Sequence, residues 1–580
     1  MQQLSSAERA AIAAISRKDL ERTVDYLSGV DRTSGTAGEY ASVDWICQRL
    51  SEYGVPHTVH EFEGYLSFPI RASLRVLSPV GKEIRAKTRA FGASTPPQGL
   101  EGDVVFVDSK LKSIGFEGTE NQFDGIDVAG KVVLSPRGGP DGVHDAMRAG
   151  AIAHIHIWPS GEDAIHEMIS TTVWGTPTPE DAGRIPTIPS ISVNHEGGEY
   201  LQALCAGGKP VRVRITAQTD TRWCTMRMPV AEIAGSEPDQ FMLVAGHLDS
   251  WYVGTTDNAT GDAALLELAR LCKGLADRGE LKRSVRIAWW TGHSTGRYSG
   301  STWYCDQFWQ ELHDRCVGYI DIDSPGTVNS TWYDQITCMM DGWQLAVDVI
   351  GGITGTPPGR ERPPRAGDYS FYGPGLPAMY MLLGNIEPSA RYAVGGGGMN
   401  WWWHTEYDTR ETADLDVLVQ DVGIYTVTIL RIVNAAVLPW RLQPSVAEMA
   451  EAVADYATQV GGRFDLGPVA AALEDLRALA GRADAAASAA GAADAPRVNA
   501  GVMAAQRALI PINYAAAGEH DHDPAVHQPV LPLLARATDL LRLQPGSDDE
   551  RFLLTRLVRS RNRVLASLAR AEAAMRQIVG

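Results

Sequence analysis

Between Ala245 and Asp408 the chain sets out, in order, a series of polar blocks made of residue types that bind cations and move protons. They are Gly246-His247-Leu248-Asp249-Ser250-Trp251, Thr256-Asp257-Asn258, Gly292-His293-Ser294, Asp321-Ile322-Asp323 and His404-Thr405-Glu406-Tyr407-Asp408. Imidazole nitrogens and carboxylate oxygens spread over separate segments suit a borderline or hard divalent cation. A cation held that way acts as a Lewis acid, and a histidine, mostly neutral at pH 7 with an ordinary pKa near ~6.5, can carry a proton beside it.

The elements around these blocks place them. His247 follows the apolar run Phe241 to Ala245, Gly292-His293-Ser294 follows Val285 to Trp290, and Asp323 follows Val317 to Ile322. Three polar clusters thus fall at the carboxyl ends of three expected strands, where open α/β sheets form their ligand crevice. Helices are expected over Thr260 to Leu275 and Ser301 to His313, so strands and helices alternate from about 226 to 440, the pattern of βαβ crossovers on a largely parallel mixed sheet. From about 7 to 55 the chain reads as helical, with Leu20, Val24, Leu27 and then Val43, Ile46, Cys47, Leu50 at helical spacing. From 59 to 225 short strands and Gly/Pro turns predominate, among them Ala72 to Leu77, Gly102 to Val107 and Lys131 to Leu134. Beyond 441 the chain is Ala/Leu/Arg-rich and helical, with an alanine-rich stretch from Asp484 to Ala495 expected to be a flexible connection or a weakly anchored helix. The expected division is therefore a core of 1–58 with 226–440, a β-rich insert at 59–225 and a helical region at 441–580.

With 580 residues and a net charge of −18, the chain is long enough for several domains and offers no basic stripe for a nucleic-acid backbone. No apolar run approaches bilayer length, and Met1 to Arg22 lacks the features of a secretory leader, so no membrane partner and a cytoplasmic home are expected. The seven cysteines are scattered, with no Cys-x-x-Cys pair, which argues against a disulfide scaffold or a zinc knuckle.

His247-Leu248-Asp249-Ser250-Trp251, ten residues before Asp257 in Thr256-Asp257-Asn258-Ala259-Thr260-Gly261, resembles the co-catalytic zinc aminopeptidase family, in particular the branch of glutamate carboxypeptidase II and the transferrin receptor. The likeness extends to Gly300-Ser301, Tyr319 to Asp323 and His404 to Thr409, while Asp127 to Leu134 with Ala149 to Ala153 looks like the branch's protease-associated insert. The resemblance implies that His247, Asp257 and Asp323 hold one metal and that Asp257 bridges to a second held by His404. It implies also that Asp249 orients His247, that Asp408 does likewise for His404, and that the C-terminal helices make a homodimer.

Where the family carries two adjacent glutamates, a general base and a ligand of the second metal, this chain has His293 and Ser294. Losing that carboxylate weakens the second position, so one ion per chain is expected rather than two: zinc first, with iron, manganese, cobalt and nickel compatible. His293 becomes the proton carrier and Ser294 a hydrogen-bonding group, or His293 is recruited as a ligand of the second metal. Trp401-Trp402-Trp403 before His404 suggests a pocket for a flat or aromatic substrate, and Asp368 and Tyr369 fall in a loop that resembles the family's pocket loop, with Tyr369 a substitute hydroxyl donor. The expected activity is metal-dependent hydrolysis of an amide or related C–N bond in a small or peptide-like substrate. A standard amino- or carboxypeptidase and an inactive receptor-like dimer are the alternatives.

Overall fold

The computed structural model describes residues 3–108, 123 and 125–580. Its first eleven strands are β1 (His57–Ser78), β2 (Lys82–Ile84), β3 (Ala86–Thr88), β4 (Leu100–Phe106), β5 (Val132–Ser135), β6 (Ala153–Ile157), β7 (Ser190–Val193), β8 (Arg212–Ile233), β9 (Phe241–His247), β10 (Ser284–Trp290) and β11 (Cys316–Asp321). They form one sheet in the order Ala378–Met379, β11, β9, β10, β8, β4, β5, β6, β7, β3, with β1 on β8 and β2 on β1. Strands β9, β10 and β11 pair in parallel, as do β4 to β7, whereas β8 is antiparallel to β1, β4 and β10. The fold is α/β, a largely parallel mixed sheet flanked by helices and followed by a helical C-terminal region.

β1 and β8, 22 residues each, organise this sheet. They pair from His57 with Ala231 to Ser78 with Arg212, a ribbon long enough to serve two layers at once. Arg212 to Ile215 pair with β4, and Val230 to Ile233 pair with β10, so the division expected between 225 and 226 falls inside one strand. Helices Pro140–Arg148 and His195–Ala206 pack on β6, so residues 59–225 carry helices as well as strands.

The helical spacings at the start of the chain form helices Arg17–Leu27 and Ala37–Glu52, which bury Leu20, Val24, Leu27, Val43, Ile46 and Leu50. The single helix expected over Ser301 to His313 is two, Ser299–Gln307 and Trp309–Arg315, broken where Phe308 leaves helical backbone and packs its ring against Tyr304. Of the two alternatives for the alanine-rich stretch, the helix is found up to Ala489. Its residues up to Ala489 end helix Gly467–Ala489, with Ala487 buried and the Asp484 carboxylate accepting the main-chain N–H groups of Leu442 and Gln443.

The main core joins the sheet's helical face to the C-terminal helices without interruption, from Val244 and Ile320 through Trp440 to Val502 and Met575. Among the described residues no helix is long and apolar enough to cross a membrane.

Candidate active site

The site is assembled at the carboxyl ends of three neighbouring strands. β9 ends on His247, whose parallel partner is Trp290 at the end of β10, and β11 ends two residues before Asp323. After β10 the chain turns at Gly292, whose φ of +77° and whose Cβ position, 2.1 Å from the Ser299 hydroxyl, admit no side chain. This turn lays the His293 ring over that of His247, with centroids 3.9 Å apart and planes at 17°. Asn258 holds the strand ends together: its amide donates to the carbonyls of Ile322 (2.8 Å) and His247 (3.3 Å), and its carbonyl accepts from Ser324 N (3.0 Å). The Asp257–Asn258 peptide is cis.

Four of the expected ligands converge. His247 Nε2 lies 2.8 Å from Asp257 Oδ1 and 3.8 Å from Asp323 Oδ1, and His404 Nε2 lies 3.0 Å from Asp257 Oδ2. In each histidine the other ring nitrogen faces a main-chain carbonyl: Nδ1 of His247 is 2.8 Å from Asp249 O, and Nδ1 of His404 is 2.9 Å from Glu167 O. Nδ1 must therefore be the donor, so in the neutral ring Nε2 presents a lone pair toward carboxylate oxygens. Buried His247 Nε2 makes no hydrogen bond despite that closeness. Lone pairs facing lone pairs are what a shared cation reconciles, so the donor set fits a divalent metal: His247, Asp257 and Asp323 on one side, His404 and Asp257 on the other.

Several roles expected from the resemblance are filled by other groups. The Asp249 carboxylate does not touch His247; it accepts the N–H groups of His293 (2.9 Å) and Ser294 (2.8 Å) and the Ser34 hydroxyl (2.7 Å), and so fixes the His293 turn. The Asp408 carboxylate does not orient His404 but binds the amides of Thr256 and Asp257 and the hydroxyls of Thr256 and Thr412, with burial pushing it up to about 6. Asp368 is not a wall of the pocket. It lies behind His293, with Oδ2 2.9 Å from His293 Nδ1 and Oδ1 2.6 Å from the Ser301 hydroxyl. Tyr369 is wholly buried, its hydroxyl donating to Thr337 and accepting from Met381 N, so it is no substitute donor. For Asp249 and Asp408, short turns bring main-chain N–H groups closer than the side chain that sequence order suggests. Deeper still, burial together with the charges of Asp368 and Asp323 holds the Asp321 carboxyl well above the usual carboxylate range.

These groups border a cavity of about 40 Å³, lined by Asp257, His293, Ser294, Arg297, Asp323, Trp403 and His404 and by Met168 and Ile169 of the insert. It has room for a few waters. Of the three tryptophans expected to form its wall only Trp403 does so, stacked on His404 (3.5 Å, 18°) and lying 6.3 Å from Trp158 of the insert. Trp401 and Trp402 line a separate surface groove with Trp332 and Tyr392. His404, Arg297, Tyr298 and Ser324 have φ between 51° and 71°, strain for residues with a Cβ that gathers around this cavity. Sequence reading missed Arg297, although it lies four residues beyond His293, and missed the insert's part, since Glu167 is remote in the chain and acts through its main chain.

The comparisons bear on the family and the fold. Residues 230–422 match the model of peptidase family M28. The probable glutamate carboxypeptidase VP8 of Zea mays is 26% identical over 51% of this chain and 48% of its own length, and carboxypeptidase Q of Xenopus laevis is 26% identical over 43% and 51%. The chain thus spans about half the length of these relatives. Among solved structures, an aminopeptidase from Aneurinibacillus sp. strain AM-1 aligns with 73% of this chain and 95% of its own at a TM-score of 0.54 and 19% identity. An M28 peptidase precursor from Shewanella amazonensis (TM-score 0.57, 18% identity, 73% and 95%) and a zinc aminopeptidase from Bacillus subtilis (0.53, 20%, 72% and 94%) share the fold as well. The segments that carry His247, Asp257, His293, Asp323 and His404 all lie within the matched residues, so it is the part of the chain bearing the candidate site that is similar to the M28 peptidases.

Proposed function

We propose that the protein hydrolyses an amide or related C–N bond in a small substrate, with His293 carrying the proton that the family assigns to a glutamate. The observation that carries this reading is the pair His293–Asp368 at the edge of the metal-ligand cluster. The carboxylate fixes the proton on Nδ1, leaves Nε2 as the acceptor and stabilises the imidazolium that forms when Nε2 takes a proton. Ser301 in turn holds Asp368, and Asp249 holds the main chain of His293, so the ring has little freedom to turn away. Having accepted a proton at Nε2, His293 returns it to the leaving nitrogen, while Ser294 in the same cavity supplies a hydroxyl. A divalent ion held by His247, Asp257 and Asp323 would supply Lewis acidity toward the scissile carbonyl.

Two donors besides Asp257 on one side, His247 and Asp323, against His404 alone on the other support one firmly held ion per chain, with zinc as the first choice for such mixed nitrogen and oxygen ligation. A second reading has a specific observation behind it: ligand atoms of His247, His293 and Asp323 lie within 4.8 Å of one another, so His293 could complete the first position rather than the second.

Metal content per chain, measured with turnover on small N-acyl amides and dipeptides, tests both. One ion, lost in Asp257→Ala and kept in His293→Ala while turnover falls by roughly 10²–10⁴-fold, is the expected result. Loss of the ion in His293→Ala makes His293 a ligand. Turnover of dipeptides alone points to an ordinary peptidase, and a protein that takes up no ion after reconstitution refutes the reading.

A further inference from the structure

The tract His520-Asp521-His522 lies between helices Ala495–Tyr514 and Pro532–Ala535, far in sequence from the strand ends that carry the site. The fold lays it against helix Ser299–Gln307 and the residues that follow. Trp309 donates from Nε1 to the carbonyl of Glu519 at 3.0 Å, and its ring lies 4.3 Å from that of His520. On the other flank Arg365 donates from Nε and Nη2 to Asp523 O (3.2 and 3.1 Å), while the Asp523 carboxylate accepts the N–H groups of Ala516 (2.8 Å) and Ala517 (3.0 Å). Held on both sides, His522 reaches Asp306, with Nε2 2.9 Å from Oδ1. Asp306 follows Cys305 in the helix, and ligand atoms of Cys305, Asp306 and His522 all lie within 4.8 Å of one another.

We propose that Cys305, Asp306 and His522 form a further metal site, for zinc, that clasps the C-terminal segment to helix Ser299–Gln307. It is independent of the hydrolase reading, since none of the three lines the cavity of the active site. A histidine beside an aspartate is an ordinary ion pair; the thiol makes this group a metal site. Cys305 is 1% exposed and, unlike Cys316 and Cys338, whose thiols donate to Gly318 O and Met339 O, has no hydrogen-bond partner among the described residues. Burial first, then the charge of Asp306, pushes that thiol well above its usual range. Zinc joins what the proton leaves mismatched: the S–H bond breaks, a sulfur–zinc bond forms, the proton goes to water, and neutral His522 and the Asp306 carboxylate supply the next two donors. A sulfur, nitrogen and oxygen set selects zinc over magnesium or calcium, which take oxygen. With bonds of about 2.0–2.3 Å, donors around a tetrahedral zinc sit about 3.3–3.6 Å apart, so small movements close the site and water takes the fourth place. The half-exposed Asp306 side chain leaves a way in from solvent. The same helix carries Ser301, which holds Asp368 behind His293, so the clasp braces the support of the active site. Because a thiol proton has to be displaced, this site fills after the firmly held ion of the active site.

The test titrates cobalt(II) into metal-free full-length protein, because a cobalt–thiolate bond gives an intense near-ultraviolet charge-transfer band that nitrogen and oxygen donors do not. In wild type the first equivalent, taken by the active site, should leave the band dark, the second should raise it, and added zinc should remove it. Asp257→Ala should bring the band forward to the first equivalent, which separates the two sites. Cys305→Ser should abolish the band together with one ion per chain. His522→Ala, which spares the thiol, should weaken the cobalt that gives the band by about 100-fold or more, beyond the roughly 10–100-fold cost of losing a group that only positions ligands. No band at saturating cobalt, a band that zinc does not displace, or a band undiminished in folded Cys305→Ser or His522→Ala overturns the proposal and leaves His522 and Asp306 as an ion pair. A band that rises with the first equivalent in wild type keeps the clasp and counts against the active-site metal, and so against the hydrolase reading alone.

Discussion

Asn258 and Asp257 are adjacent, yet they do different work. Asp257 shares its two oxygens between His247 and His404, and Asn258 spends both ends of its amide on the main chain at the ends of β9 and β11. Removing that amide leaves buried carbonyls and an N–H without partners and lets the strand ends that carry His247 and Asp323 drift. Asn258→Ala is therefore expected to weaken metal affinity by roughly 10–100-fold, the usual effect of losing a group that positions ligands, without removing any donor atom. Competition with a zinc chelator measures it, and unchanged affinity in a folded variant would show that the strand ends are held by other means.

At the scale of elements, helix Leu415–Val433 controls the loop that follows Asp323. Its Asp421 carboxylate, fully buried, accepts the Gly326 N–H at 2.8 Å and the Tyr333 hydroxyl at 2.8 Å. Burial pushes this carboxyl up to about 7, against the two hydrogen bonds that lower it. Its folded value is above its unfolded one, so the folded protein retains a proton that the unfolded chain has released. The stabilising contribution is complete below about pH 4 and is lost as pH rises to about 7. The unfolding free energy of Asp421→Asn, measured against wild type at fixed metal concentration, should accordingly improve by a few kcal/mol between about pH 5 and pH 8. A difference that does not change with pH would place the shift elsewhere. The insert acts at the same scale, since the Glu167 and His404 main chains bond one another while Trp158 backs Trp403, so the last ligand is held partly by residues from the far end of the sheet.

For the whole molecule, the C-terminal helices are part of the body that carries the site. Arg507, in helix Ala495–Tyr514, donates to the carbonyls of His313, Gly375 and Cys316, and Trp440 donates to Val317 O, so the start of β11 is tied to the helical region. Burial lowers the Arg507 guanidinium to about 10, a mark of how closely it is enclosed. Arg507→Ala leaves several buried carbonyls without donors, and a loss of about 2–4 kcal/mol in unfolding free energy is expected. Chemical denaturation should show it as one cooperative transition moved to lower denaturant, because a single core spans both regions. Separate transitions for the two regions would show that they are independent units.

The sequence by itself determined the order of chemistry-bearing residues and the strand ends that carry them. Continuous apolar runs placed β9, β10 and β11, which are buried on both faces, and the pattern between them placed helix Thr260–Asp277, all close to their observed limits. His247, Asp257, Asp323 and His404 were legible as candidates because each belongs to a short motif. What the partners of those residues would be was not legible. Asp249 holds the His293 turn, Asp408 holds the Thr256–Asp257 main chain, Asp368 holds His293 and Tyr369 is turned into the core, since such pairings depend on which main-chain groups approach within about 3 Å after the strands have twisted and the turns have closed. Tertiary structure alone decided that Arg297 and the insert's Met168 and Ile169 would share a cavity with the metal donors, because β1 and β8 return a distant segment to the strand ends. Side-chain identity is local and contact is not, and the site's selectivity belongs to contact.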